Sequence, residues 1–398
     1  MKRPFNIRAP SFDAQAINET IRSALASAGL DPAARPIHDV SHTVRQALSA
    51  AGITATQGGW GANESVVDVV AHVVEGRPDA KAEPARRPLV HEPKAPAGSF
   101  EALQYAHQGS TCAYKLYAPV RVGAAAPLLV MLHGCTQSAD DFAAGTQMNR
   151  LADEHRFLVV YPEQATSANS SKCWNWFKAQ DQVRDSGEPA LIAGIVREVA
   201  ARHGVDKGRI FVAGLSAGAA MAVILGETYP ELIAGVGAHS GLPYRSAHDV
   251  PSAMAAMKGG RSGITGLKAR PKPAAAPRRQ VAQAVPTIVF HGDRDHTVQL
   301  SNGTEIAQQA GNAHSAVLPT AALRVSTEQG APAGRRSYSR TVHADAAGKA
   351  RVEFWTVHGA GHAWAGGSIC GSYTDARGPD ASAEMVRFFL SLPRAGAA

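Results

Sequence analysis

The sequence predicts an α/β protein with a mostly parallel central sheet, helices on both faces and a small helical region before it. From about residue 100 onward, short and continuously apolar runs alternate with helical patterns. Such alternation is typical of parallel strands buried on both faces. Polar residues with catalytic chemistry follow several of the apolar runs, and function collects at the carboxyl ends of strands in such sheets. These residues are His133, Ser216, Asp293, Asp295, His358 and His362.

Each predicted element follows from its residue pattern. Strands are assigned to short runs of apolar and β-branched residues, and helices to segments whose apolar residues fall on one face. Pro162 sets the predicted end of one strand at Tyr161. The predicted strands are 111–118, 128–132, 157–161, 210–213, 235–239, 287–291 and 352–357, and the predicted helices are 188–202, 217–228 and 384–392.

Length and composition indicate a globular protein with a large core. The chain has 398 residues, of which 45% are hydrophobic and 18% charged. The longest mostly apolar stretch, residues 211–226, is rich in Gly, Ala and Ser, so we expect no transmembrane segment. Asp13 and Glu19 interrupt the apolar region that a Sec signal peptide needs, so we predict no such peptide. A cytoplasmic and an extracellular location both stay open.

The net charge of +7 raises the possibility of a nucleic-acid partner. Residues 258–285 carry seven basic residues and no acidic one, so this stretch accounts for the whole net charge of the chain. This stretch is rich in Pro and Ala and has no interleaved aromatic residues, unlike typical nucleic-acid-binding surfaces. We therefore expect no nucleic-acid partner, and we interpret 258–285 as a basic low-complexity insert.

The first 99 residues contain a repeat. The pattern of Ile17, Ile21 and Leu25 with a following Gly recurs 23 positions later in Val40, Val44 and Leu48. Apolar residues at this spacing with a Gly stop predict short amphipathic helices. We predict a helical repeat region over 1–75, a flexible linker over 76–99 and a catalytic domain over 100–398. The helices either dock on that domain and stabilise it or act as a recruitment element.

The strongest functional motif is Gly214-Leu215-Ser216-Ala217-Gly218. It follows a predicted strand and opens a predicted helix, which is the setting of a nucleophilic serine on a sharp turn. Gly at both flanks suits a turn with no room for side chains. The helix N-terminus favours a developing anion beside the serine hydroxyl. We interpret Ser216 as a nucleophile, the alternative being an ordinary turn serine.

A serine nucleophile needs a base and an orienting acid, which follow it in the chain order Ser, acid, His. Two downstream segments fit, and each offers a choice. We prefer Asp295 as the acid, because Asp293 lies close to the strand and is suited to bracing the loop. We prefer His362 as the base, because it lies among small residues, whereas His358 belongs to the strand end.

The oxyanion hole needs two backbone N–H donors. We expect one from Ala217, which follows the nucleophile, and one from Cys135, in the loop after the strand 128–132. We interpret His133 as a residue that braces this loop. No Cys pair has the C-x2-C spacing and no zinc-type His motif is present, so we expect no metal and no other cofactor.

Cysteines and tryptophans near these loops leave alternatives open. Cys135 and Cys173 form a disulfide that pins the oxyanion loop, or they are two free thiols, as a cytoplasmic protein would favour. Three tryptophans lie beside the presumed active-site loops. They form an apolar substrate-binding surface, or they simply pack in the core. These residues are Trp174, Trp176 and Trp364.

From about residue 105 to residue 392 the chain resembles the catalytic domain of the poly(3-hydroxybutyrate) depolymerase family of esterases, whose relatives include feruloyl and acetylxylan esterases. The resemblance implies an α/β-hydrolase fold, the triad Ser216, Asp295 and His362, an oxyanion donor at Cys135 and a Cys135–Cys173 disulfide. The matching pieces are Leu132-His133-Gly134-Cys135-Thr136-Gln137, Tyr161-Pro162, Cys173-Trp174-Asn175-Trp176, residues 205–218, His291-Gly292-x2-Asp295-x2-Val298 and Gly359-x-Gly361-His362-Ala363-Trp364.

The resemblance predicts a serine esterase that acts on poly(3-hydroxybutyrate) or related short-chain polyesters and oligomers. The alternative enzyme is a feruloyl or acetylxylan esterase, because the triad does not encode the acyl pocket. A non-catalytic polyester-binding protein is the alternative of a different class. A polyester granule is an apolar surface on which the helices of residues 1–75 could lie.

Overall fold

The computed structural model describes residues 98–107, 109–259, 283–317 and 322–394. The predicted helical repeats over 1–75, nearly all of the predicted linker and most of the basic insert over 258–285 lie outside these residues. The strands are β1 Ser99–His107, β2 Ser110–Ala118, β3 Leu128–Leu132, β4 Leu158–Glu163, β5 Ile210–Leu215, β6 Gly235–His239, β7 Thr287–Gly292, β8 Arg324–Gly330, β9 Tyr338–Ala344, β10 Ala350–Val357, β11 Trp364–Ala365 and β12 Thr374–Asp375. The helices are α1 Ala139–Thr146, α2 Met148–His155, α3 Gly187–His203, α4 Ala217–Thr228, α5 Val250–Met257, α6 Leu300–Val317 and α7 Ala381–Ser391.

Ten strands form one sheet in the order β1-β2-β4-β3-β5-β6-β7-β10-β9-β8. The six central strands, β4, β3, β5, β6, β7 and β10, pair in parallel. The outer strands on both sides pair antiparallel. The predicted mostly parallel sheet is confirmed. The carboxyl ends of β3, β5, β7 and β10 therefore point the same way, and the candidate catalytic residues follow these strand ends. We call this side of the sheet, where the parallel strands end, the carboxyl edge.

Helices cover both faces of the central strands, whose side chains alternate between two apolar layers. Leu128 and Val130 of β3 pack in the layer that contains α3, α4 and α6. Leu129 and Met131 of the same strand pack in the layer that contains α1, α2 and α7. Because both layers exclude water, β3 reads as an unbroken apolar run, as expected for a strand buried on both faces.

The structure extends and corrects several predicted elements. β1 begins at the end of the predicted linker, and its side chains are mostly exposed. The strand predicted to stop at Tyr161 continues through Pro162 to Glu163. β3 pairs with β4 only as far as Val160, so Pro162 lies where one neighbouring strand remains, a position that tolerates proline. No helix within the described ranges is long and apolar enough to cross a membrane.

A buried carboxylate joins the sheet to the last helix. Glu353 of β10 is fully buried and pairs with Arg340 of β9 and Arg387 of α7 at 2.9 and 2.6 Å. Burial acts to raise the pKa of Glu353, but the hydrogen bonds and charges of the two arginines outweigh it and lower the pKa. The carboxylate is therefore ionised in the folded protein and depends on its charged partners to remain so when buried.

We predict that Glu353→Gln lowers the free energy of unfolding at neutral pH by about 3 kcal/mol, because it leaves two arginines without their buried partner. The folded-state pKa of Glu353 lies below the ordinary value of 4.5, so this stabilisation is present above that pH and is lost as pH falls through the folded-state pKa. Urea unfolding of both proteins at several pH values measures the difference, which should shrink on acidification.

Glu384→Gln is the matched control, because Glu384 pairs with the same Arg387 at 2.6 Å but is partly exposed. We expect it to cost less than about 1 kcal/mol. Equal costs for the two substitutions, or a difference for Glu353→Gln that grows in acid, would contradict this account.

Candidate active site

Ser216 lies at a strained turn between β5 and α4. Its backbone has φ 58° and ψ −119°, a conformation that residues other than Gly rarely adopt. Its N–H donates to the carbonyl oxygen of His239 at 2.9 Å, which fixes the turn to the end of β6. The serine is half-buried, and among the described residues its hydroxyl has no hydrogen-bond partner. A hydroxyl held in this way at a helix N-terminus is available to a substrate.

Two glycines make this turn possible. A Cβ atom on Gly218 would lie 2.1 Å from the carbonyl oxygen of Leu132, and one on Gly214 would lie 2.5 Å from the backbone of Gly218. The start of α4 therefore packs directly against the end of β3. The loop after β3 and the serine turn are adjacent because neither glycine has a side chain.

Asp295 and His362 are brought into contact. His362 Nδ1 donates to Asp295 Oδ2 at 2.7 Å, and Asp295 is fully buried. The other carboxylate oxygen accepts from the N–H groups of Thr297 and Val298. Burial acts to raise the pKa of Asp295, but these hydrogen bonds and the nearby histidines lower it overall. Asp295 is therefore an ionised acceptor for the Nδ1 proton of His362, the tautomer in which Nε2 carries the lone pair that a base needs.

Asp293 and His358 form a second carboxylate–histidine pair. His358 Nδ1 donates to Asp293 Oδ2 at 2.9 Å, and the N–H of Gly359 donates to the other oxygen at 2.7 Å. His358 Nε2 accepts from the hydroxyl of Ser339 in β9 at 2.9 Å. Asp293 thus holds the start of the loop that carries His362. This arrangement agrees with the bracing role predicted for Asp293 and His358.

The two predicted oxyanion donors lie at the ends of neighbouring strands. Cys135 follows β3 and Ala217 opens α4, and neither N–H donates a hydrogen bond to any residue that the structure describes. Cys135 is joined to Cys173 by a disulfide, which confirms the predicted bridge. The N–H of Thr136 also donates to the carbonyl oxygen of Ser171 at 2.7 Å, so a hydrogen bond holds this loop next to the disulfide bond.

His133 sets the orientation of the peptide that carries the Cys135 N–H. The N–H of Gln164 donates to His133 Nε2 at 3.0 Å, so the ring proton is on Nδ1, which donates to the carbonyl oxygen of Gly134 at 2.7 Å. In a trans peptide the carbonyl and the following N–H point in opposite directions. Because the Gly134 carbonyl oxygen is held against the His133 ring, the Cys135 N–H of the same peptide points away from that ring. Burial lowers the pKa of His133, which keeps the ring neutral.

Two further buried histidines, His239 and His291, for which the sequence indicated no role, support the site. His239 accepts from the N–H of Ala365 at 2.9 Å, three residues after His362. Burial, together with the nearby His291 and His362, lowers the pKa of His239 to about 3. His291 Nε2 donates to the carbonyl oxygen of Val298 at 2.8 Å and lies 3.6 Å from Asp295 Oδ2. Both rings hold loop backbone in place.

The three tryptophans are buried. The Trp174 indole N–H donates to the carbonyl oxygen of His133, and the Trp364 indole N–H donates to the hydroxyl of Ser382. The rings of Trp176 and Phe177 pack edge to face. Their burial favours packing over the substrate-binding surface that we also considered. The aromatic side chain that is exposed next to the oxyanion loop is Tyr373, which no sequence motif indicated.

The sheet order, the serine turn and the loop positions of Asp295 and His362 define the α/β-hydrolase fold. Acetyl xylan esterase from Aspergillus awamori has the same fold, with a TM-score of 0.54 at 18% identity, over 73% of this chain and 99% of that one. A sequence model of the family described as Esterase PHB depolymerase matches residues 112–330, more than half of the chain. The chain belongs to this family.

Two curated relatives represent different substrate branches. Poly(3-hydroxyalkanoate) depolymerase C of Paucimonas lemoignei is 33% identical over 261 residues, which cover 62% of this chain and 57% of that protein. Probable acetylxylan esterase A of Aspergillus flavus is 27% identical over 219 residues, which cover 54% of this chain and 70% of that protein. The chain thus spans little more than half the length of the depolymerase that it matches.

We predict that Asp295→Asn lowers kcat on a soluble ester by about 10⁴-fold, because the amide no longer holds His362 in the tautomer that leaves Nε2 free. Asp293→Asn is the matched control, since the Asp293 carboxylate also accepts from a histidine Nδ1, but from that of His358, which braces the loop. It should lower kcat by only a few-fold. Steady-state kinetics of both variants test this. A larger loss of kcat in Asp293→Asn than in Asp295→Asn would assign the acid to Asp293 instead.

We predict that His133→Ala lowers kcat by about 10²-fold with little change in KM, because the Cys135 N–H loses its fixed direction and one oxyanion donor is weakened. His133→Asn places an amide N–H near the position of Nδ1 and should recover part of the loss. Affinity for a boronic acid transition-state analogue should fall in parallel with kcat. A large rise in KM at unchanged kcat would show that His133 has a different role.

Proposed function

We propose that this protein is a serine esterase that hydrolyses poly(3-hydroxybutyrate) or related short-chain hydroxyalkanoate polyesters and oligomers. One observation carries the proposal. A strained serine, two unpartnered backbone N–H groups and a buried carboxylate–histidine pair occupy the same edge of the sheet. Each of these features has a function in acyl transfer.

In the proposed reaction, Ser216 Oγ attacks the ester carbonyl carbon while His362 Nε2 takes the hydroxyl proton. The negative charge that develops on the carbonyl oxygen is stabilised by the N–H groups of Cys135 and Ala217. Collapse of this intermediate breaks the ester C–O bond, and His362 returns the proton to the leaving alkoxide. Water then attacks the acyl-Ser216 in the same manner and releases the acid and the free serine.

The polyester branch is supported by the similarity to the Paucimonas lemoignei depolymerase, which extends over more residues than the similarity to the acetylxylan esterase. A second candidate is an esterase of acetyl or feruloyl groups on polysaccharide. It is favoured by the acetylxylan esterase of Aspergillus flavus, of which this chain covers 70%. We further propose the amphipathic repeats of residues 1–75 as a contact with a polyester granule.

We predict that Ser216→Ala abolishes ester hydrolysis, with a loss of at least about 10⁴-fold, and leaves the melting temperature nearly unchanged, because only the nucleophilic hydroxyl is removed. Turnover should be measured on amorphous polyhydroxybutyrate, a p-nitrophenyl ester, methyl ferulate and acetylated xylan. Wild-type protein should release hydroxybutyrate from the polymer.

Ser339→Ala is the matched control, because the Ser339 hydroxyl is hydrogen-bonded to His358 and lies on a strand, without the strained turn of Ser216. It should retain activity. A Ser216→Ala variant with most of its turnover would remove the nucleophile assignment. Wild-type activity on methyl ferulate or acetylated xylan alone would favour the second candidate.

A further inference from the structure

A loop of residues 366–373, the rim loop, lies between the two parts of the candidate site. At its carboxyl end, the carbonyl oxygen of Tyr373 accepts from the N–H of Trp364 at 2.7 Å, two residues after His362. The hydroxyl of the same tyrosine lies 3.3 Å from the hydroxyl of Thr136, the residue after Cys135. Tyr373 therefore spans from the histidine loop to the oxyanion loop.

The rim loop is held in one position by contacts with α1 and the oxyanion loop. Asp141 accepts from the N–H of Ser372 at 2.8 Å, and the side chain of Gln137 donates to the Ser372 carbonyl oxygen at 3.1 Å. A Cβ atom on Gly371 would lie 2.4 Å from the Cα atom of Gly145, so the two backbones pack directly together. A surface that is already ordered loses little conformational entropy when it binds a ligand.

The rim loop presents apolar side chains to solvent. Ile369 is 88% exposed, more than any other large apolar side chain in the described part of the chain, and Tyr373 is 45% exposed. No residue from 366 to 373 carries a charge, although the protein as a whole is strongly basic. Tyr373 has φ 52°, a left-handed conformation that is rare for a bulky residue and that tends to occur at functional sites.

We propose that the rim loop is the contact surface for the polyester chain that flanks the scissile ester, a proposal that rests on the function proposed above. A hydroxyalkanoate chain is uncharged and carries alkyl groups and ester carbonyls, which match an apolar Ile369 and a Tyr373 that combines a ring with a hydroxyl donor. Tyr373 lies against Thr136, the residue after Cys135, so a chain lying on the rim loop passes beside the oxyanion loop. A polysaccharide presents hydroxyl groups, which an exposed isoleucine does not bind.

The test compares Ile369→Ser and Tyr373→Asn with wild-type protein on amorphous polyhydroxybutyrate and on p-nitrophenyl butyrate. Asn tolerates the left-handed backbone, so the second variant removes the ring without adding strain. We expect the ratio of polymer turnover to soluble-ester turnover to fall about tenfold in each variant, as the loss of one apolar contact would produce. Tyr373→Phe, which keeps the ring, should retain most of the ratio.

Val120→Ser is the matched control. Val120 is 71% exposed and follows β2, whose carboxyl end pairs with the start of β4 at the edge of the sheet opposite the site. Its ratio should equal that of the wild type. An unchanged ratio in both rim-loop variants, with wild-type polymer turnover intact, would overturn the proposal and leave the proposed function standing. Wild-type turnover of acetylated xylan but not of polyester would overturn both.

Discussion

The direct contact between the start of α4 and the end of β3 is the constraint on which the site depends. Gly218 approaches the carbonyl oxygens of Leu132 and His133 so closely that a Cβ atom would lie 2.1 and 2.5 Å from them. Because the two backbones touch, the N–H groups of Ala217 and Cys135 are held on adjacent strand ends beside Ser216. Any side chain at position 218 would push the nucleophile away from the oxyanion loop.

Buried neutral histidines then fix the loops around this contact. His133, His239 and His291 each hold a backbone group of a catalytic loop, and burial lowers the pKa of all three. A neutral imidazole suits this purpose, because it can offer the backbone a donor nitrogen, as His291 does, or an acceptor nitrogen, as His239 does. His362, with its Nδ1 hydrogen-bonded to the ionised Asp295, belongs to a different class of histidine in the same region. The fold thus separates structural imidazoles from the one proposed as a base.

The oxyanion loop has a second support through the segment that contains Cys173. Glu188 at the start of α3 accepts from the backbone N–H of Asn175 at 2.7 Å and from the side chains of Asn175 and Gln164. Burial and the nearby Asp181 raise the pKa of Glu188 to about 7, against the effect of these donors. The disulfide therefore joins the oxyanion loop to a segment that is itself anchored in the core.

The sequence was most informative where one local pattern determines the structure. Apolar runs predicted β3, β6 and α4 almost to the residue, because these elements are buried on every side. The G-x-S-x-G motif located the turn, because only this spacing of glycines allows it. The polar strands β8 and β9 were missed, because β8 is largely exposed, β9 is half-buried throughout and neither carries an apolar alternation.

The supports of the site could not be predicted, because they join residues far apart in the chain. The hydrogen bond from Ala365 to His239 links residues separated by 126 positions, and the one from Gln137 to Ser372 links residues separated by 235. The tryptophans illustrate the same limit. Their position beside catalytic motifs suggested a substrate surface, whereas the surrounding layers bury them.

The most direct test of the account is the crystal structure of the protein after reaction with a serine-directed phosphonate. We expect a single adduct on Ser216 Oγ, with the phosphoryl oxygen about 2.7–3.1 Å from both the Cys135 and the Ala217 nitrogen atoms. An adduct on another serine such as Ser339, or a phosphoryl oxygen directed away from these two N–H groups, would contradict it.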